Sequence, residues 1–157
     1  MNTKMEDIVS LLLKEAGTFV PKLINRGNHR TVWTTEDPFT VIKIPRYNTR
    51  FDCNSGLYKN LQEWLVWQMA SPKLKTWLCK PILLEHGGLV LIMERGTPIT
   101  KQEIPEKVPG IIAKNDNTHP NWVLVRGEYK RCDYHTFYEP MLKRKKRIRN
   151  ESGNSII

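Results

Sequence analysis

Acidic and amide side chains surround one short apolar run in the stretch "NDNTHPNWVLVRGEYKRCDY", residues 115 to 134. Asp116 and Asn121 precede the run "WVLV", and Asp133 follows it. A hairpin that only joins two surface strands would not need these groups. The stretch is therefore singled out as a candidate functional segment. The alternative is that Asp116 and Asn121 cap turns and that Asp133 ends a strand.

A lysine lies within the apolar strand pattern "VIKIP", in which Lys43 shares a strand face with Val41. A lysine on an apolar face is costly unless its ammonium group meets an anion. Glu63 in "NLQEWLVW" is the candidate anion, ahead of the neighbouring acids Asp52 and Glu85. Two interpretations stay open: the Lys43 side chain extends into solvent, or an ion pair holds it ready for a phosphate.

The elements that must position these residues follow an α+β order. An amphipathic helix pattern spans residues 6–16, and "FVPKLINRGNHRTVWTTEDPFTVIKIP" has the β-branched and turn residues of antiparallel strands. The next segment, "SGLYKNLQEWLVWQMAS", predicts a helix with Ser55 as N-cap. Its predicted apolar face consists of Leu57, Leu61, Leu65 and Met69.

Two hairpins and a terminal helix complete the predicted order. The segment "KPILLEHGGLVLIMERG" predicts a hairpin that turns at Gly87-Gly88, and "WVLVRGEYKRC" predicts a second one that turns near Arg126-Gly127. From about Phe137 the sequence favours a helix, and we expect the end of the chain to be disordered.

This ordered set resembles the protein-kinase-like fold, in the broad sense that includes aminoglycoside and other small-molecule phosphotransferases. In that family a lysine on the third strand pairs with a helix glutamate and contacts the nucleotide phosphates, and Lys43 and Glu63 match in order and setting. The family's catalytic loop is an aspartate, four residues and an asparagine, which is the spacing of Asp116 and Asn121. His119-Pro120 is similar to the His-Pro of the phosphotransferase branch.

The resemblance continues after the catalytic loop and implies roles for single residues. A short hairpin and then a metal-binding aspartate with an aromatic neighbour follow in the family, as Asp133-Tyr134 does here. The resemblance implies that ATP and Mg²⁺ are bound, that Asn121 and Asp133 hold the metal, and that Asp116 is the base or positioning group. Lys43 and Glu63 complete the catalytic set. The nucleotide would contact Lys43, Gly27, Met93, Glu94 and Arg95, with the backbone from Glu94 to Gly96 on the adenine.

The implied architecture is a kinase-like domain over residues 1–150. Residues 1–95 would form a small antiparallel-sheet N-lobe with one key helix, and residues 96–142 a heavily trimmed C-lobe. Residues 143–157 would form a basic, disordered tail. The phosphate-covering loop has only Gly27, and His135 stands where the family has a glycine. Minimal chains of this kind look like those encoded by bacteriophages.

The charge and the length of the chain are compatible with three functions. The first is a minimal kinase that phosphorylates a hydroxyl of a protein or small molecule. The second is an inactive kinase-like module, a pseudokinase, which inhibits or recruits a partner protein; the trimmed lobe favours it, and Trp64, Trp67, Trp77 and Trp122 are its candidate exposed aromatics. The third is nucleic-acid binding, because six of the charges behind the formal net charge of +9 lie in Lys143–Arg149 and the remainder is +3. Whether the chain forms a homo-oligomer is left open.

The remaining features bear on location and metals. No apolar run approaches the ~20 residues that span a bilayer, and the N-terminus lacks the pattern of a signal peptide. Cys53, Cys79 and Cys132 are widely spaced and odd in number, which is typical of reduced thiols. We therefore expect a cytoplasmic protein, in the host cytoplasm if a phage encodes it, that does not bind membranes. Cys132-x-x-His135 has no second pair and does not predict a structural zinc site.

Overall fold

In a computed structural model of the chain, the described residues are 19–113 and 119–143. They form a mixed α+β structure with antiparallel sheets. The described residues divide into two compact units, one made of residues 19–61 and 81–95 and the other of residues 62–80, 96–113 and 119–143. One boundary falls after Arg95, where the sequence predicts the end of the N-lobe, but residues 62–80 belong to the second unit.

The first unit is built on a five-stranded sheet in which every neighbouring pair is antiparallel. The strand order is β1-β2-β3-β5-β4. All these strands lie within the segments that the sequence predicts as strands, so those predictions are confirmed. The strands are β1 (Leu23–Arg26), β2 (Arg30–Thr34), β3 (Thr40–Pro45), β4 (Pro81–Glu85) and β5 (Val90–Glu94).

The core of this sheet is β3, whose six residues are all buried. A strand covered on both faces carries a continuous apolar run rather than an alternating one, which explains the pattern "VIKIP". Lys43 is the exception within that run, and it lies opposite Val32 on β2 and Leu91 on β5.

Gly87 and Gly88 form the turn between β4 and β5, as the sequence predicts. The residues from His86 to Gly88 adopt a 3-10 turn, with φ of +65° at Gly87 and +101° at Gly88. Residues other than glycine rarely adopt φ angles of this kind. At the turn between β7 (Trp122–Val125) and β8 (Glu128–Arg131), Arg126 and Gly127 also have positive φ, which suits a two-residue hairpin loop.

The long helix α1 (Arg50–Met69) begins earlier than predicted. Ser55 lies inside the helix, so its assignment as N-cap is wrong. The Thr49 hydroxyl accepts a hydrogen bond from the amide of Asp52 at 3.0 Å, and the Thr49 carbonyl accepts one from the amide of Cys53. These bonds satisfy amides of the first turn, which is the role of an N-cap residue.

The predicted apolar face of α1 is not the most buried face of the helix. Leu65 is 40% exposed, whereas the stripe that the fold covers contains two polar residues. A search for apolar periodicity misses this stripe because Asn60 and Glu63 interrupt it. Its buried members are Gly56, Asn60, Glu63 and Val66, and the buried Ala70 follows directly after the helix.

Asn60 connects α1 to three parts of the first unit. Its carbonyl oxygen accepts a hydrogen bond from Arg30 Nη1 at 3.0 Å. Its amide nitrogen donates to the carbonyl of Lys43 at 3.2 Å and to that of Gly88 at 2.8 Å. One buried side chain therefore fixes the helix against β2, β3 and the β4–β5 turn.

The second unit contains a three-stranded antiparallel sheet in the order β6-β7-β8 and several short helices. The predicted hairpin after Asn121 is confirmed as β7 and β8, and residues 138–143 are helical, as expected from about Phe137. The largest side chains of its core are Trp122, Arg131, Tyr134 and Phe137. The elements are α2 (Pro72–Lys75), β6 (Thr97–Pro98), α3 (Gly110–Ala113), β7 (Trp122–Val125) and β8 (Glu128–Arg131).

Several predictions fall on residues 1–18, 114–118 or 144–157 and lie outside the described residues. They concern the N-terminal helix pattern, Asp116 and most of the basic tail. Within the described parts of the chain, no helix combines the length and apolar character needed to cross a membrane.

Candidate functional site

The backbone before Asp133 is fixed by hydrogen bonds to the segment that follows α2. The Arg131 amide donates to the Trp77 carbonyl at 2.8 Å, and the Cys79 amide donates to the Arg131 carbonyl at 2.9 Å. The Arg131 guanidinium lies over the Trp122 ring at 5.4 Å and donates to the Asp133 carbonyl at 3.3 Å. Asp133 thus follows a strand end, Arg131, whose backbone and side chain are both fixed by contacts.

Tyr134 anchors the segment that carries the candidate residues. Its side chain is fully buried, and its hydroxyl donates to the Cys79 carbonyl at 2.8 Å. Its ring also packs against that of Phe137 with centroids 6.3 Å apart. Since Tyr134 stands between Asp133 and His135, this anchor restricts the backbone of both neighbours.

Asp133 and His135 form a close pair. His135 Nδ1 lies 2.6 Å from Asp133 Oδ1, which is hydrogen-bond distance. The side chain of Asp133 is 34% exposed and that of His135 is 17% exposed. A small ion or a phosphate oxygen can therefore reach the pair from solvent.

Glu63 joins the pair from α1. One ligand atom each from Glu63, Asp133 and His135 lies within 4.8 Å of the other two, and Glu63 is fully buried. Two carboxylates and an imidazole at this spacing are a suitable ligand set for a divalent cation. We refer to Glu63, Asp133 and His135 as the carboxylate–imidazole cluster.

Lys43 lies in the first unit, at the centre of β3, and only 5% of it is exposed. The interpretation that its side chain extends into solvent is therefore wrong. Its backbone carbonyl accepts the hydrogen bond from Asn60. An ammonium group buried in this way requires polar or anionic side chains or carbonyl groups as partners.

The residues that the resemblance assigns to the nucleotide also lie in the first unit. Gly27 is exposed in the β1–β2 turn, where its amide donates to the Arg30 carbonyl at 2.9 Å. Met93 is fully buried on β5 opposite Val41, and Glu94 lies opposite Thr40. The Arg95 amide donates to the Phe39 carbonyl at 2.7 Å, so in this structure it is not open to an adenine ring.

Asn121 stands at the base of the β7–β8 hairpin. Its carbonyl accepts a hydrogen bond from the Cys132 amide at 3.0 Å. The two ends of the hairpin therefore meet at Asn121 and Cys132, and Asp133 is the next residue after Cys132. The proposed third member of this loop, Asp116, lies outside the described residues.

Sequence reasoning missed the part played by His135. His135 stands where the family has a glycine, and its spacing from Cys132 does not predict a zinc site, so the sequence gives it no role. The two-residue spacing of Asp133 and His135 is a weak hint of a shared site. Glu63, which is distant in sequence, could not be linked to His135 by spacing alone.

Compared with known proteins, the chain matches no protein-family model, no curated protein and no solved structure.

Proposed function

We propose that the chain is a minimal kinase-like protein that uses ATP and Mg²⁺ to phosphorylate a hydroxyl of a protein or small molecule. The observation that carries the proposal is the proximity of Glu63 and Asp133. They are 70 residues apart in sequence, and their ligand oxygens lie within 4.8 Å of each other. The resemblance gives these two positions the lysine-pairing and the metal-binding role.

The order of the described elements supports the same proposal. Lys43 lies on the third strand of an antiparallel sheet, and α1, which carries Glu63, follows that strand. Met93 lies on β5, shortly before the chain enters the second unit. Asn121 directly precedes a hairpin, and Asp133 follows it. Each of these placements is the one that the resemblance implies.

Each assigned residue has a chemical task in phosphoryl transfer. The reaction forms a bond between the acceptor oxygen and the γ-phosphorus and breaks the bond from that phosphorus to the bridging oxygen of ADP. Asp116 takes the proton of the acceptor hydroxyl, and Lys43 offsets the charge of the phosphates. Asn121 and Asp133 would hold Mg²⁺ through oxygen ligands, and the bound ion would supply positive charge beside the phosphates.

A phosphotransfer assay with radiolabelled ATP tests the proposal. We expect labelling of the chain itself or of an added hydroxyl substrate, and Asp116→Asn and Asp133→Asn should each lower it by about 100-fold or more. Glu128→Gln is the control, because Glu128 is an exposed acid of the β7–β8 hairpin whose side chain is 64% exposed. Labelling that survives both aspartate substitutions would contradict the assignment.

A non-catalytic binding module is the second candidate, and two observations favour it. The Arg95 amide is already bonded to the Phe39 carbonyl, which removes one predicted donor to adenine. In addition, α1 exposes 73% of Phe51 and 66% of Tyr58. The four tryptophans that the sequence offered for this role are instead wholly or partly buried. A module of this kind would bind neither ATP nor Mg²⁺ and would lack the labelling described above.

A further inference from the structure

The carboxylate–imidazole cluster includes a nitrogen ligand that phosphoryl transfer does not require. Hard cations such as Mg²⁺ and Ca²⁺ are held mainly by oxygen atoms. Imidazole is instead a common ligand of zinc, cobalt, nickel and iron. We propose that Glu63, Asp133 and His135 bind a divalent first-row transition-metal ion of the zinc class, without any nucleotide.

The spacing of the three ligands suits such an ion after a small adjustment. Bonds of about 2.0–2.1 Å to a tetrahedral ion place neighbouring ligand atoms roughly 3.4 Å apart. The observed separations run from 2.6 Å for His135 and Asp133 to at most 4.8 Å within the cluster. Binding therefore widens the 2.6 Å contact between His135 and Asp133 slightly, so that the ion can lie between the two ligand atoms. Three protein ligands leave the fourth position to water or to a further ligand.

The supporting structure holds the ligands in place before the ion arrives. Glu63 projects from a 20-residue helix and is fully buried. Asp133 and His135 flank Tyr134, which is bonded to the Cys79 carbonyl. Ligands on such a fixed frame lose less conformational freedom on binding, which favours affinity.

The positive net charge of the chain allows specific binding of a cation to be distinguished from non-specific electrostatic attraction. The formal net charge is +9, and it is still +3 without the segment Lys143–Arg149, so general electrostatic attraction does not account for cation binding. Tight binding of one cation must then come from a local set of anionic and nitrogen ligands. The proposed site shares Asp133 with the Mg²⁺ site and Glu63 with the lysine pair of the proposed kinase-like function, but it depends on neither ATP nor phosphoryl transfer.

Cobalt binding to the full-length chain tests the proposal. The chain is stripped with a chelator, and Co²⁺ is titrated while its visible absorption is followed. We expect one Co²⁺ per chain, full displacement by Zn²⁺, and retention of Co²⁺ in a large excess of Mg²⁺. His135→Ala and Glu63→Gln should each weaken binding by on the order of 100-fold, at least as much as loss of a residue that only orients a ligand.

Two matched controls identify the ligands. His86→Ala removes an exposed histidine that also lies near an acid, 3.8 Å from Glu85, and should leave Co²⁺ affinity unchanged. Cys132→Ser should also leave it unchanged, because the sulfur is not among the proposed ligands. Thermal melting of the metal-free variants shows whether each one folds. If Glu63→Gln does not fold, the partly exposed His135 keeps the test decisive.

Three results would overturn the proposal: no Co²⁺ binding by the wild-type chain, unchanged affinity in a folded His135→Ala variant, or loss of binding in Cys132→Ser. Failure of the kinase-like function is recognised separately, because nucleotide binding and phosphotransfer are measured with Mg²⁺ alone. Zinc-class binding without nucleotide binding would leave this inference standing and remove the other.

Discussion

At the scale of single residues, buried polar side chains organise the first unit and the candidate site. Asn60 and Glu63 occupy the covered stripe of α1, one bonded within the first unit and the other in the carboxylate–imidazole cluster. Lys43 and Glu63 could be identified from the sequence as candidate site residues, because a charged residue within an apolar segment is unusual. Asn60 could not, since an asparagine on a helix is ordinary until its partners are known.

We predict that Asn60→Ala lowers the free energy of unfolding by about 3 kcal/mol, because it removes three buried hydrogen bonds worth about 1 kcal/mol each. Arg30 and the carbonyls of Lys43 and Gly88 lose this partner. Asn54→Ala is the control, since Asn54 is exposed on the same helix, and it should change the free energy by about 0.5 kcal/mol or less. Denaturant unfolding of both variants measures the difference. Equal stabilities would contradict the role given to Asn60.

At the scale of elements, turn residues predicted more than apolar periodicity did. The Gly87-Gly88 and Arg126-Gly127 turns were located correctly because each contains glycine at a position of positive φ. The predicted start of α1 was wrong because Thr49 caps the helix, and the predicted apolar face is not the most buried one because polar residues lie on the covered stripe. Periodicity identifies a buried face only when that face is apolar.

We predict that Gly56→Ala destabilises the first unit by about 3 kcal/mol, through steric overlap that the backbone must relieve. A Cβ atom at Gly56 would lie 2.5 Å from the His29 carbonyl oxygen and 2.7 Å from the Pro45 Cα. Gly110→Ala is the matched control within a helix, since a Cβ there meets nothing within 4 Å. Alanine favours helix over glycine by up to about 1 kcal/mol, so Gly110→Ala should be neutral or stabilising. The melting temperatures of the two variants would decide between these expectations, and a stable Gly56→Ala variant would contradict the close approach of α1 to β3.

At the scale of the whole molecule, two compact units share the residues of the proposed function. The first carries Lys43, Met93, Glu94 and Arg95, and the second carries Glu63, Asn121 and Asp133. The resemblance could propose this set because it fixes an order along the chain. The Asp133–His135 pair is different, because it depends on how Tyr134 is buried, and order along the sequence does not contain that information.

Nucleotide binding tests the central claim most directly. In a thermal-shift titration with ATP and Mg²⁺, we predict that the wild-type chain is stabilised by ~2.7 kcal/mol when the ligand is at 100 times Kd. Lys43→Met and Asp133→Asn should lose most of this stabilisation, because in the proposed function Lys43 supplies the charge that contacts the phosphates and Asp133 supplies a metal ligand. Glu128→Gln should retain it. No shift at millimolar ATP, or a shift that persists in both site variants, would contradict the claim that this chain is a kinase-like ATP-binding protein.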